Sequence, residues 1–250
     1  MDHRMANIMK PRVCIIGTGK IAEFHVPALK AAGFNIVSCC GSPGSLKSPI
    51  FAKKYNIPKV FNDADSLISD SDNWDAALIC SSLETTFQLL NKCIVTSKPI
   101  LVEKPVTLIP NDFLSLPKIS KNIYVAYNRR FYSTVQFAKK FIESNNPCFI
   151  KMELPDSINF SDNNISERYF NVRYNSIHGF DLLNYLMPSI ELVRIEKHMQ
   201  PDGVHSKSVY LKTSRGDSSM IFLNWNAPSN FSINIEAMPY RLELKPFESY

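Results

Sequence analysis

In the first half of the chain the apolar positions fall into short continuous runs, separated by stretches with helical spacing. Residues 12–16 form one such run, which ends at Gly17. Residues 21–32 then carry apolar side chains at Ile21, Ala28, Leu29 and Ala32, and Gly33 stops the pattern. This predicts a strand, a turn and a helix. The alternation continues with a strand over 34–40 closed by Gly41-Ser42-Pro43-Gly44, a helix over 50–55, a short strand near Val60 and a helix over 64–69. A buried strand over 76–80, a helix over 84–96 and strands over 100–102 and 123–126 complete it. Strands that alternate with helices are joined by crossovers, so the expected sheet is parallel, doubly wound and covered on both faces.

Beyond residue 126 the rhythm changes. A helix over 132–143 precedes a strand over 149–153, a polar loop through Asn164 and a helix over 176–186. Four β-like runs follow, over 192–198, 208–213, 219–225 and 231–236, punctuated by Gly216 and by residues 226–230. Consecutive strands without intervening helices imply an antiparallel or mixed sheet. The expected organisation is an α/β domain over 1–126 followed by an α+β domain over 127–250, built on a largely antiparallel sheet.

Composition narrows the class without changing this picture. The 250 residues are 45% hydrophobic, 20% charged and 11% aromatic, ordinary usage for a folded globular protein. With 28 Lys and Arg against 23 Asp and Glu, the net charge is +5, spread without a basic run longer than a pair. That balance argues against a nucleic-acid partner and suits an anionic small ligand. The first ten residues hold no apolar run of a signal peptide's kind, and no segment approaches ~18 uncharged apolar residues, so the expected location is cytoplasmic and off the membrane. Cys14, Cys39, Cys40, Cys80, Cys93 and Cys148 lack metal-ligand spacing and read as reduced, buried thiols. A catalytic thiol is disfavoured because none of them sits beside a base in sequence.

Glycine occupies only 8 of the 250 positions, so two glycines within three residues need a reason. Gly17-Thr18-Gly19-Lys20-Ile21-Ala22 lies where the first strand becomes the first helix. A dinucleotide turn requires Gly17 for the bend, Gly19 for close backbone approach to a pyrophosphate and Ala22 for tight helix packing, with the helix N-terminus facing the phosphates. The expected Rossmann cofactor site takes Gly17, Thr18, Gly19, Lys20 and Ile21, together with Ser42, Ser81, Glu103 and Lys104 at the ends of later strands. At the end of the second strand, Cys39-Cys40-Gly41-Ser42 holds no acid to bond the ribose of NAD. An acid there repels a 2′-phosphate, so its absence permits NADP, with Ser42 and Lys47 as the contacts; the bare alternative is that Gly41 and Gly44 only turn the chain.

Three further segments make the reading more specific. Glu103-Lys104-Pro105 follows the strand over 100–102, at the carboxyl edge where open α/β sheets bind ligands. Tyr127-Asn128-Arg129-Arg130-Phe131 follows the strand over 123–126, and His178 and Asp181 lie in Ser176-Ile177-His178-Gly179-Phe180-Asp181. With the glycine turn and His25, this ordered set resembles the glucose–fructose oxidoreductase / inositol dehydrogenase / rhizopine catabolism (Gfo/Idh/MocA) family over essentially the whole chain. The resemblance implies an NAD(P)-dependent oxidoreductase acting on a hydroxyl of a sugar, cyclitol or nucleotide-linked sugar, with the second domain serving substrate binding and oligomerisation. It places Lys104 near the nicotinamide and the reacting hydroxyl, and makes His178 the general base.

Two departures accompany the resemblance. An Asp four residues before the histidine is common in the family; here that position is Tyr174, followed by Asn175. Family members also extend well beyond the segment at 240–248, whereas this sequence stops at Tyr250, so the second domain is expected to be shortened at its end. A non-catalytic nucleotide-binding sensor or assembly protein is the competing expectation.

Alcohol oxidation independently requires a base for the hydroxyl proton, a partner for the developing alkoxide and a nicotinamide to receive hydride. His178 and Lys104 supply the first two. The bland alternatives are a strand-ending surface lysine and a helix-capping or core histidine. Arg129, Arg130, Tyr174 and Asn175 are the candidate substrate contacts, a solvated face being the other reading of the two arginines. Asp181 reads as a structural hydrogen-bonder or ion-pair member. His25, His198 and His205 lack metal-ligand spacing, so no metal is expected.

Overall fold

The computed structural model describes residues 9–107, 109–116, 122–156, 176–199, 205–225 and 230–245. It divides into two units, 1–126 and 127–250. In the first, β1 (Arg12–Ile16), β2 (Asn35–Cys40), β3 (Lys59–Phe61), β4 (Ala76–Ile79), β5 (Ile100–Val102) and β6 (Ile123–Val125) form one sheet in the order β3-β2-β1-β4-β5-β6. Every pair in it is parallel. The crossovers include α1 (Lys20–Ala31), α2 (Lys47–Tyr55), α3 (Ala64–Ser69) and α4 (Leu83–Ile94). Successive strand residues point to opposite faces, which explains the unbroken apolar runs. Val13 and Ile15 pack with Ala22, Val26 and Phe51 on one face, whereas Cys14 and Ile16 pack with Leu67, Trp74 and Leu90 on the other. The strand order reverses between β1 and β4, the switch point at which such sheets bind ligands.

All six cysteines are free and buried. Burial pushes the Cys39 thiol up to about 11 and those of Cys40, Cys93 and Cys148 up to about 12. Cys14 and Cys80 are shifted upward by the same cause. Thiolate chemistry at neutral pH is therefore closed to these residues.

The second unit contains α5 (Ser133–Ser144) and α6 (Ser176–Leu186) against the strands β7 (Phe149–Asp156), β8 (Glu191–Met199), β9 (His205–Lys212), β10 (Ser218–Trp225), β11 (Ser232–Ala237) and β12 (Tyr240–Leu244). Their order is β12-β11-β7-β10-β9-β8; β7 and β10 pair in parallel and the other pairs are antiparallel. The sheet is thus mixed, and β12 is a strand that the sequence pattern had not separated out. The expected loop through Asn164 lies outside the described residues. Val135, Ala138 and Ile142 of α5 and Leu182, Leu183 and Leu186 of α6 share a core with Ile150, Met152, Ile221 and Ile233 of the sheet. Gly179 lets α6 approach β7 closely, since a Cβ there would stand 2.3 Å from the Leu154 side chain.

Asp217, buried beside the β9–β10 turn, ties this sheet together. It accepts from the Cys148 amide at 2.9 Å, from Arg215 Nε at 2.6 Å and from Thr213 Oγ1 at 3.2 Å. Burial pulls its pKa up, but the Cys148 amide, the Arg215 guanidinium and the Cys148 thiol outweigh that and hold the carboxyl below its usual range. Asp217→Ala is expected to cost about 3 kcal/mol in urea unfolding at pH 7, because it leaves buried donors unmatched. The depressed folded-state pKa fixes the sign of the pH effect. The carboxylate's contribution is fully present above the unfolded-state pKa of ~3.9 and is lost as pH falls through the folded-state value. Asp217→Asn should remove this part of the acid dependence.

Candidate active site

Gly17 closes β1 with φ +103° and donates its amide to Cys40 O at 2.8 Å. A Cβ there would stand 2.4 Å from Cys80 O, so the ends of β1 and β4 are pressed together and only glycine fits. Gly19 differs. It is the N-cap of α1, makes no side-chain cap bond, and a Cβ built on it meets no atom within 4 Å. The fold does not demand glycine there. What the position offers is open space in front of first-turn amides that have no capping side chain, the setting of a phosphate-binding helix end.

A cavity of about 530 Å³ opens on this turn at the carboxyl ends of β1, β2 and β4. Gly17, Thr18, Gly19, Ser42 and Ser81 line it, as do Lys47, Asp63, Asp65, Gln88 and Lys92. Thr18 Oγ1 lies 3.0 Å from Ser48 Oγ, which fixes the turn to α2. Both acids are engaged: Asp63 accepts from Ser66 N at 2.7 Å as the cap of α3, and Asp65 pairs with Lys92 at 2.6 Å. Lys20, Ile21, Glu103 and Lys104 do not line this cavity; Lys20 and Ile21 are exposed at the start of α1. A larger, more open hollow of about 790 Å³ in the second unit, between Asn146 and Arg241, contains no candidate residue.

Glu103 follows β5 directly, with its amide on Ile79 O at 2.9 Å. Its carboxylate is shared: Oε1 accepts from His25 Nε2–H at 2.6 Å and Oε2 from the Lys104 amide at 3.1 Å. Lys104 is half-buried at the carboxyl edge of β5 and joins Pro105 through a cis peptide bond. In the sequence, His25 accompanies the other motifs with no partner marked out for it. Its position between the buried Ala22 and Val26 on α1 is the available signal, since a polar group on an inner helix face needs a partner.

In the second unit His178 lies on the buried face of α6 with its ring edge-on to Tyr127, centroids 6.1 Å apart. Burial, with Asp181 adding to it, pushes the Tyr127 phenol up to about 12. Arg130 grips Asp181 with two donors, Nε to Oδ2 at 2.7 Å and Nη2 to Oδ1, and stands over the rings of Tyr127 and Tyr185. This pairing raises the Arg130 pKa and commits its fork to holding α6. Arg129 stands over the Phe231 ring at 4.8 Å. Tyr174 and Asn175 lie outside the described residues. Among the described residues no group of three or more His, Cys, Asp or Glu side chains could hold a metal ion, and no helix is long and apolar enough to cross a membrane.

Residues 11–123 match the sequence profile of a family described as an oxidoreductase family with an NAD-binding Rossmann fold, GFO_IDH_MocA. The first unit is thus similar to the NAD-binding domain of the Gfo/Idh/MocA family. A myo-inositol 2-dehydrogenase of Thermotoga maritima is 28% identical over 137 residues, covering 53% of this chain and 41% of the relative. Inositol 2-dehydrogenase 1 of Saccharopolyspora erythraea is 25% identical over 202 residues, covering 76% and 58%. The chain thus spans about half the length of these curated relatives. The fold extends over both units. Myo-inositol dehydrogenase from Lactobacillus casei, solved with NAD(H) and myo-inositol, aligns with a TM-score of 0.76 at 20% identity, over 94% of this chain and 74% of that one. An oxidoreductase from Agrobacterium radiobacter solved with NAD+, L-tartaric acid and magnesium gives 0.78 at 15%, with the same coverage.

Proposed function

We propose that this chain is a Gfo/Idh/MocA-family, NAD(P)-dependent oxidoreductase that transfers a hydride between a hydroxyl-bearing carbon of a cyclitol, sugar or nucleotide-sugar and a nicotinamide. The observation that carries the reading is the uncapped N-terminus of α1, opening through Gly19 onto a cavity at the switch point of the sheet. The residues present fit a dinucleotide. Backbone amides of the 17–19 turn would hold the pyrophosphate, and the cavity lining past the end of β2, with Ser42 and Lys47, would hold the adenosine half. Lys104, at the end of β5, is the residue that would serve the nicotinamide half. A bound nicotinamide would supply the hydride acceptor or donor. For the oxidation direction, the role assigned to His178 of the second unit is to take a hydroxyl proton at its imidazole, and the role assigned to Lys104 Nζ of the first unit is to stabilise a developing alkoxide. The second unit is read as the substrate domain.

Cofactor choice follows from Gly41. A Cβ there would stand 2.4 Å from Ser48 Oγ, a side-chain hydroxyl engaged with Thr18, and the end of β2 carries no acid to bond a ribose. Ser42 and Lys47 line the cavity at this end. NADP is therefore read as binding at least as tightly as NAD; a tenfold preference for NAD, about 1.4 kcal/mol, would contradict that in calorimetry. The reaction is tested with a panel of cyclitols, sugars and UDP-sugars against both cofactors, following nicotinamide absorbance. Substrate-dependent reduction is the expected result. Cofactor binding with no turnover on any of them would favour the non-catalytic reading instead.

A further inference from the structure

His25 and Glu103 stand 78 residues apart in sequence, and their side chains meet at 2.6 Å. A carboxylate accepts only, so His25 Nε2 carries the proton of this bond. Each partner is only about a fifth exposed, which makes the bond stronger than a surface contact. Glu103 is fixed from three directions: its amide by Ile79 O of β4, Oε1 by His25 of α1, and Oε2 by the amide of Lys104. Both carboxylate oxygens are thereby committed, and the main chain at Lys104 is held to the same side chain that holds α1. Helix α1 begins at the 17–19 turn. One hydrogen-bonded chain therefore runs from the helix that carries the phosphate turn to the backbone of the lysine at the end of β5.

We infer that His25 and Glu103 are a positioning pair that fixes Lys104 and the nicotinamide end of the site relative to the phosphate turn. The inference rests on the dinucleotide reading given under the proposed function. Neither side chain lines the cavity assigned to the adenosine half, so the pair acts on one end of the cofactor only. That asymmetry separates a positioning role from a general structural one, because loosening α1 as a whole would weaken both ends.

The experiment compares the full-length protein with its His25→Ala, His25→Gln and Glu103→Gln variants. Each is titrated calorimetrically with the tighter-binding of NADPH and NADH, and with the matching adenosine fragment, 2′,5′-ADP or ADP. His25→Ala should bind the reduced dinucleotide about tenfold more weakly, while fragment affinity stays within about twofold. Glu103→Gln should show the same selective loss. His25→Gln places an amide N–H where the imidazole Nε2–H stands and should recover the dinucleotide affinity to within about twofold. Equal weakening of dinucleotide and fragment, or no weakening in His25→Ala, would overturn the inference. If the unaltered protein binds neither probe, the dinucleotide reading itself fails, and the inference falls with it.

Discussion

Replacing His178 by alanine should lower the single-turnover rate of hydride transfer by ~10²–10⁴, the span of a lost general base. The rate of alcohol oxidation should rise with pH in the unaltered protein, because a base accepts a proton only when its imidazole is neutral. In His178→Ala that acidic limb should disappear, leaving a slow rate that is flat on the acid side. The structural alternative makes a different forecast. His178 is 6% exposed on the inner face of α6 and edge-on to Tyr127, so a residue that merely fills the core would keep the limb when removed and lower the melting temperature instead. Recording pH-rate profiles and thermal midpoints on the same samples separates the two.

Lys104→Ala should lower the chemical rate by ~10²–10³ while the dinucleotide dissociation constant changes little, since an interaction that is strongest with the developing alkoxide is absent from the ground state. The backbone supports this division. The main chain at Lys104 is held by the Glu103 carboxylate through the amide, not through the amine, so truncating the side chain leaves the bond between the Lys104 amide and Glu103 in place. Single-turnover kinetics isolates the chemical step from product release. An unchanged rate would remove Lys104 from the reaction and with it the assignment of the β5 edge as the nicotinamide end.

Much of this architecture was legible because strand runs and helical spacing alternate in the first unit and strands follow one another in the second. The run over 12–16 is the observed β1, and the parallel sheet follows from strands buried on both faces, as Ile15 and Ile16 show by packing into opposite cores. Boundaries failed where local chemistry was misread. Helix α2 begins at Lys47, before Pro49, because a proline in the first helical turn lacks an N–H that would have no partner anyway. Strand β12 was missed because Tyr240-Arg241-Leu242-Glu243-Leu244 is largely exposed and gains its structure only by pairing with β11. Likewise the parallel β7–β10 pair is a product of tertiary contact that alternation along one strand cannot reveal.

The candidate site divides in the same way. The glycine turn was readable since its requirements are local, though only coordinates distinguish Gly17, which the fold needs, from Gly19, which it does not. Pairs distant in sequence were not readable. Asp181 suggested a structural partner, and the structure supplies Arg130, 51 residues away, which turns a candidate substrate cation into a brace for α6. His25 and Glu103 belong to the same class.

Binding of a nicotinamide dinucleotide at the 17–19 turn is tested most directly by nicotinamide fluorescence. The protein and its Gly19→Ala variant are titrated with NADPH and with NADH. A methyl group at Gly19 meets no protein atom within 4 Å, so the variant should fold with an unchanged melting temperature. The expected result is saturable binding below millimolar concentration by the unaltered protein, and at least about tenfold weaker binding by the variant, whose methyl group intrudes on the pyrophosphate. No saturation with either cofactor, or equal affinity in a correctly folded Gly19→Ala, would contradict the account.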